Sequence, residues 1–381
     1  MGATLTNLIP TLYSNLDVVS RELVGMIPSV TLDAQASRAA VNQSVRSFVA
    51  PAASAGDITA GVTPPNDGDQ TIGDQEIKIT KARRVPIRWT GEEERGSGPA
   101  AAAIQGAQIQ QAIRTLCNEI EADLADLYKV ASRAAGTAAT TPFGTAGDYS
   151  AASLTRKILA DNGSPLSDLQ LVLDTAAGAN LRGKQASSSQ EFGDTLLRQG
   201  VLLDINGMMV RESAQIKTHT KGTGASATTN TAGYAVGATT ITLASAGTGT
   251  IVAGDVITFA GDTNQYVVVT GDADVSGGGT VVLAAPGLRQ AIAASATNIT
   301  VVASSVRNMG FSRSAIVLAQ RLPALPANGD LASDRTTIVD PRSGLSFEVA
   351  LYPQYRQMQW EVSCAWGVKV IKPEHVALLL G

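Results

Sequence analysis

The sequence predicts an α+β chain interrupted by a small all-β barrel or sandwich. Residues 222–305 contain no Lys, no Glu, one Arg (Arg289) and four Asp, while both flanks carry ordinary charge. Within that stretch, β-type runs at 239–243, 255–259, 266–270, 280–283 and 298–302 alternate with turns rich in Gly, Ala, Ser and Asp, the spacing of a compact all-β unit. Ahead of it lies a long apolar stripe at helical spacing, and mixed helix and strand patterns resume beyond residue 306.

Taken in order, Leu5, Ile9, Leu12, Leu16, Val19, Leu23 and Met26 recur at alternating steps of four and three. They line one face of a helix that begins near Pro10, where proline suits a first turn, and ends at Gly25. Such a helix packs on its own core or lies as an arm on a neighbouring subunit. Residues 50–98 are polar and glycine-rich, with a turn at Pro64-Pro65-Asn66-Asp67-Gly68. Two alternating runs, 76–80 and 85–89, are expected to pair as a long hairpin or loop around 81–84. A connection this long in a compact domain usually has a function or is disordered. Glu92-Glu93-Glu94-Arg95 precedes a helix, where carboxylates suit the positive end of the helix dipole.

The strongest helical signal runs over 99–135, with Ile109, Ile113, Leu116, Ile120, Leu124, Leu127 and Ala131 on one stripe and Gly136 as the stop. At 1.5 Å per residue it makes a spine of roughly 50 Å. A helix at 151–160, a strand at 169–174, a short helix, a loop containing Arg and Gly, a helix at 192–199 and a strand pair at 202–205 and 208–211 complete an α/β core. After the β unit come a strand at 314–319, a Pro/Gly linker over 323–344, strands at 347–352 and 360–371, and a closing run at 376–380.

Hydrophobic residues make up 44% and aromatics 4%, so aliphatic side chains must supply most of the packing. A net charge of −4 with no basic stripe gives no electrostatic drive toward nucleic acid. Cys117 falls on the apolar side of the spine helix and Cys364 inside an apolar strand, which reads as two buried free thiols. No stretch matches a signal peptide or reaches the ~18 apolar residues of a membrane span, and the simplest expectation is a soluble product of a reducing cytoplasm.

The chemical motifs are incomplete. Gly178-Ala179-Asn180-Leu181-Arg182-Gly183-Lys184-Gln185 follows a strand and approaches a P-loop, but Gln185 stands where a hydroxyl would hold magnesium. The segment reads as a flexible charged loop. Asp272, Asp274, Ser276 and Gly277 imitate the first half of a calcium loop, yet Leu283 occupies the position of the bidentate Glu, so a turn is expected. His219 and His375 are the two histidines, with no nucleophile elbow to serve, and are expected to be exposed and structural. No catalytic, cofactor-binding or metal-binding residue is assigned.

Gly254-Asp255-Val256-Ile257-Thr258-Phe259-Ala260-Gly261 resembles a barrel signature of the major capsid proteins of tailed bacteriophages. The runs 266–270 and 280–283 are similar to the strand pair that follows it. Ala365-Trp366-Gly367-Val368 with Lys372-Pro373-Glu374 resembles the family's closing strand and turn, and Pro51-Ala52-Ala53-Ser54 its early Pro-Ala-Ala-Ser. The order of parts is similar to short-tailed-phage coat proteins, which carry an insertion domain in the Hong Kong 97-type capsid fold. That resemblance implies an N-terminal arm (1–49), an extended loop (50–98), a peripheral domain (99–140 and 335–381), an axial domain (141–221 and 306–334) and an inserted β-barrel (222–305). It further implies hexamers and pentamers forming an icosahedral shell that encloses double-stranded DNA. Scaffolding and portal proteins would be partners, with assembly in the host bacterial cytoplasm and a final place in the virion. Two other readings compete: a decoration or fibre protein whose β domain binds a glycan through Tyr234, Phe259 and Tyr266, and a nucleotide hydrolase around Gly183-Lys184.

Overall fold

The apolar stripe between residues 109 and 124 forms a helix, and its length sets the frame of the molecule. A computed structural model describes residues 24–49, 55–64, 73–145, 148–185, 202 and 204–381. The expected helix over 5–26 falls almost wholly outside the described residues, as do the expected helix at 192–199 and Pro51-Ala52-Ala53-Ser54.

After a 3-10 turn, Ile27–Ser29, the chain forms β1 (Thr31–Ala39) and β2 (Ser44–Val49), two strands the sequence reading did not mark. Strands β3 (Gly73–Lys78) and β4 (Lys81–Thr90) follow. They do not form the expected hairpin with each other: β3 pairs with β2, and β4 pairs with a strand more than 260 residues further on. Helix α1 (Gly91–Ser97) begins with a reciprocal capping box in which Thr90 and Glu93 each satisfy the other's backbone N–H. The Glu run is therefore a helix start.

The spine helix α2 (Ala101–Ala125) has 25 residues, about 37 Å, and so is shorter than expected. Beyond it the chain tightens into a 3-10 segment, Asp126–Val130, and then forms β5 (Arg133–Ala135). The alanines there favour helix, but their backbone is recruited between two other strands, and tertiary pairing overrides propensity. Helix α3 (Ser150–Asp161), β6 (Leu169–Leu173), α4 (Thr175–Gln185) and β7 (Met208–Glu212) come next. Residues 178–185, read as a loop, lie within α4. Of the strand pair expected at 202–205 and 208–211, the isolated bridge Ile205↔Met208 is the one pairing between the two runs among the described residues, and β7 runs parallel to β6.

The β-rich segment contains β8 (Thr218–His219), β9 (Thr240–Leu243), β10 (Val256–Phe259), β11 (Gln265–Thr270), β12 (Gly279–Leu283) and β13 (Ile299–Val301). The chain then forms β14 (Ser305–Ser312), β15 (Ile316–Pro323), β16 (Asp334–Val339), β17 (Ser346–Gln354), β18 (Gln357–Val370) and β19 (Val376–Leu380). The expected linker over 323–344 thus contains β16, which zips onto β17 from Asp334↔Leu351 to Val339↔Ser346.

Two large sheets result. In the six-stranded one, β18 pairs along one side with β4 and along the other with β17 and then β15, while β1 runs parallel to β15. Ile109, Ile113, Leu116, Ile120 and Leu124 of α2 share a core with Trp360, Val362 and Trp366 of β18 and with Phe347 and Val349 of β17. Burial of each such side chain contributes about 1.5–3 kcal/mol. The second sheet runs β13-β10-β11-β5-β19-β14-β6-β7. Accordingly β15 belongs with β17 and β18, and β19 belongs with β14 and β5. Both cysteines are buried and unpaired with each other, as expected.

Candidate functional site

Each motif singled out in the sequence has a packing explanation. A Cβ on Gly178 would overlap the carboxylate of Glu212, which lies against α4 and pairs with Arg182 one turn on. The space a phosphate cradle would need is filled by a buried negative charge, which would repel a phosphate. Asp272 accepts from the Asp274 N–H at 2.8 Å, and Asp274 accepts from the Ser276 N–H and hydroxyl, so these oxygens cap a turn. Among the described residues no cluster of three or more His, Cys, Asp or Glu side chains is poised for a metal.

Both histidines are buried, against expectation, at 5% exposure for His219 and 7% for His375. His375 ends the short 3-10 turn Pro373–His375 between β18 and β19, and burial pushes its imidazole below the ordinary range. His219 has polar neighbours on both nitrogens. Its Nε2 lies 2.8 Å from Asp255 Oδ1 and its Nδ1 lies 2.9 Å from the Tyr128 hydroxyl. With Asp255 ionised, Nε2–H donates to the carboxylate and Nδ1 accepts from the tyrosine. The order Tyr-His-Asp imitates a hydrolase relay, but Tyr128 is only 4% exposed, so no substrate can reach its oxygen.

The relay marks the joint between the body and the β-rich segment. The chain enters that segment at β8 and leaves at β14, which pair with each other at Ser305↔His219 and Val306↔Thr218. Asp255 also accepts from the backbone N–H groups of Gly222 and Val252, fixing the entry loop. Gly254 holds φ +92, and a Cβ there would sit 2.8 Å from Tyr128 Cε2 and 3.1 Å from His219 Cε1. Only glycine combines that backbone with that approach. Ile257 and Phe259 point into the segment's own core with Ile241, Leu243, Tyr266, Val268, Val281 and Leu283. The run from Gly254 to Phe259 therefore does two things: its first half joins, and its second half packs.

Buried Arg307 stands beside the relay, donating from Nη1 to the Ser305 hydroxyl at 3.1 Å and from Nη2 to the Gly254 carbonyl at 3.4 Å. Burial brings its guanidinium down to about 10, against the pull of Tyr128 and Asp255. A second seam lies at β5, where Gln265↔Ala134 and Tyr266↔Arg133 carry the ladder from the segment into the body. Arg133 donates to Asn264 Oδ1 at 2.8 Å, and Gln265 donates to the Gly136 carbonyl at 3.0 Å. The Tyr266 hydroxyl donates to Asp262 at 2.6 Å, and burial together with that carboxylate pushes it up to about 12. Within the segment, β9, β12, β11, β10 and β13 pair antiparallel in that order. Residues 228 and 229 bridge to Asn298 and Leu243, linking the two outer strands.

Two further features concern attachment. Fully buried Glu121 on α2 accepts the N–H groups of Gly25, Met26 and Ile27, at 2.6, 2.6 and 2.9 Å. Burial pushes its carboxyl up, and those amides with the Ser213 hydroxyl pull it down. Residues 55–64 form neither helix nor strand, and within them Ile58 and Val62 are fully exposed. Sequence reasoning missed Tyr128, Glu121 and Arg307, because their partners are brought together only by chain reversals.

Comparison with solved structures gives likenesses along nearly the whole chain. The capsid structure of the cyanophage P-SCSP1u is 10% identical with a TM-score of 0.51, covering 95% of this chain and 89% of that one. The capsid of a native GTA particle is 11% identical at 0.46, covering 95% and 91%. The capsid of the Myoviridae phage XM1 is 9% identical at 0.45, covering 96% and 95%. No protein-family model and no curated protein matches the sequence. The cyanophage likeness shows the fold: this chain is an α+β protein of the phage capsid fold.

Proposed function

We propose that the chain is a major capsid protein, assembling as hexamers and pentamers into an icosahedral shell around double-stranded DNA. The observation that carries this reading is the fold-level likeness to the cyanophage capsid over 95% of the chain. Fold alone leaves function to the sites, and the sites fit a building part: buried polar groups here join segments to one another. In this reading residues 1–49 are the arm, 50–98 the extended loop and 222–305 the inserted barrel, on peripheral and axial domains. The exposed Ile58 and Val62 support a role for the loop in contacts between subunits, since bulky apolar side chains left in water favour a partner. The net charge of −4 suits enclosure of DNA without tight adhesion. Scaffolding and portal proteins are the proposed assembly partners, and the virion is the proposed destination.

Negative-stain electron microscopy with sedimentation velocity on the purified chain tests the reading. Closed shells, alone or on co-expression with the neighbouring phage genes, are the expected result. A chain that stays monomeric under both conditions would sink it. Deleting residues 1–23, which leaves Gly25 and its contacts in place, is expected to abolish shells and retain a folded monomer.

A further inference from the structure

Residues 25–29 turn the chain into β1 under the hold of two side chains of opposite charge from different parts of the fold. On one side, the Glu121 carboxylate on α2 receives three consecutive backbone N–H groups, from Gly25, Met26 and Ile27. On the other, Arg211 on β7 places Nη1 3.2 Å from the Pro28 carbonyl, 3.0 Å from the Ser29 hydroxyl and 2.7 Å from Gln170 Oε1. The segment also closes on itself: Ser29 donates from its hydroxyl to the Gly25 carbonyl at 2.6 Å and from its N–H to the Met26 carbonyl at 2.9 Å. Negative charge thus meets the donor end of the turn, and positive charge meets its acceptor end.

The fit is close. A Cβ on Gly25 would collide with the Glu212 carbonyl, the residue next to Arg211. Met26 and Ile27 are buried, so the turn is wedged between α2 and the end of the second sheet. No strand ladder holds it, because β1 begins only at Thr31. One carboxylate serves all three amides, so partial release would strand a buried charge with fewer donors than it needs.

We infer that Gly25–Ser29 is a two-state strap, closed or released as a unit, which couples α2 to β7 and fixes the point from which the preceding chain departs. Glu121 and Arg211 are its positioning residues. The strap stands on these contacts whether or not the chain builds a shell.

Native-state hydrogen exchange on the full chain at low denaturant tests it. Gly25, Met26 and Ile27 are expected to exchange through one shared opening, well before the amides of residues 109–124. Glu121→Gln, which turns an amide group toward these donors, is expected to speed exchange at the three positions by about tenfold or more, the scale of losing a charge-assisted hydrogen bond. Arg211→Gln is expected to act in the same direction. Exchange of the three amides only through global unfolding in the native protein would overturn the inference. So would native rates at these positions in a folded Arg211→Gln variant. Should Glu121→Gln fail to fold, those two measurements still decide.

Discussion

The hydroxyl of Tyr128 lies 2.9 Å from Nδ1 of His219, so the segment that follows the spine helix is bonded directly to the strand that opens the β-rich segment. Asp255 holds the other ring nitrogen, Nε2, of the same imidazole. Three residues from three separate stretches of sequence therefore share one buried hydrogen-bond chain.

Cutting that chain at either end should loosen the joint. Tyr128→Phe leaves Nδ1 without its donor and is expected to cost about 1–1.5 kcal/mol. Asp255→Asn leaves one oxygen where two served His219, Gly222 and Val252, turns an NH2 group against the remaining donors, and is expected to cost about 3 kcal/mol. Urea unfolding of both single variants and the double variant checks this, with a combined loss smaller than the sum because the two residues act through one ring.

Gly254→Ala probes the close approach instead of the hydrogen bonds. With φ at +92 and the new methyl 2.8 Å from the Tyr128 ring, a loss of about 1–3 kcal/mol is expected, with the φ contribution alone near 1 kcal/mol. Calorimetry on the variant, set beside the exposed Gly261→Ala at φ +86 with open space around it, separates backbone strain from collision.

Gly178 allows a sharp comparison with the nucleotide-binding reading. Gly178→Ala drives a methyl into the Glu212 carboxylate and should cost about 2–3 kcal/mol of stability. A magnesium-nucleotide titration by calorimetry should give no heat of binding in the native protein. Saturable binding lost on Gly178→Ala would restore the phosphate site.

Alkaline pH tests the buried thiol of Cys364. Burial pushes it from an ordinary 9.0 to about 12. Between those values the folded chain keeps a proton that the unfolded chain releases. The contribution of this group is thus complete below about pH 9 and is lost as pH rises toward 12. Melting temperatures measured from pH 8 to pH 10.5 should fall less steeply for Cys364→Ser than for the native protein.

Local signals were legible wherever a segment packs against its own neighbourhood. The strands at 239–243, 255–259, 266–270 and 280–283 alternate over a core they build together, and each is found within a residue or so of its expected limits. The stripe from Ile109 to Leu124 is equally plain, because helical burial is periodic. What stayed hidden depends on distant partners. Arg133–Ala135 reads as helix until β11 and β19 claim its backbone, and β4 finds β18 instead of its neighbour β3. Asp334–Val339 sits among Pro and Gly, and becomes a strand only by zipping onto β17. The histidines looked like solvated turn residues, since nothing near them in sequence announces Tyr128 or the burial of His375.

Strand β19 lies between β5 and β14, pairing parallel with one and antiparallel with the other. Both of those strands leave the ribosome earlier. Until residues 376–380 emerge, each keeps a row of unpaired amides and carbonyls, and the second sheet is split in two. The two halves of this sheet can therefore join only once the late strand is in place, and β19 acts as the closing rung between them. A polypeptide cut short before it would offer two sticky strand edges to the chaperones and proteases of the cell instead of a finished surface.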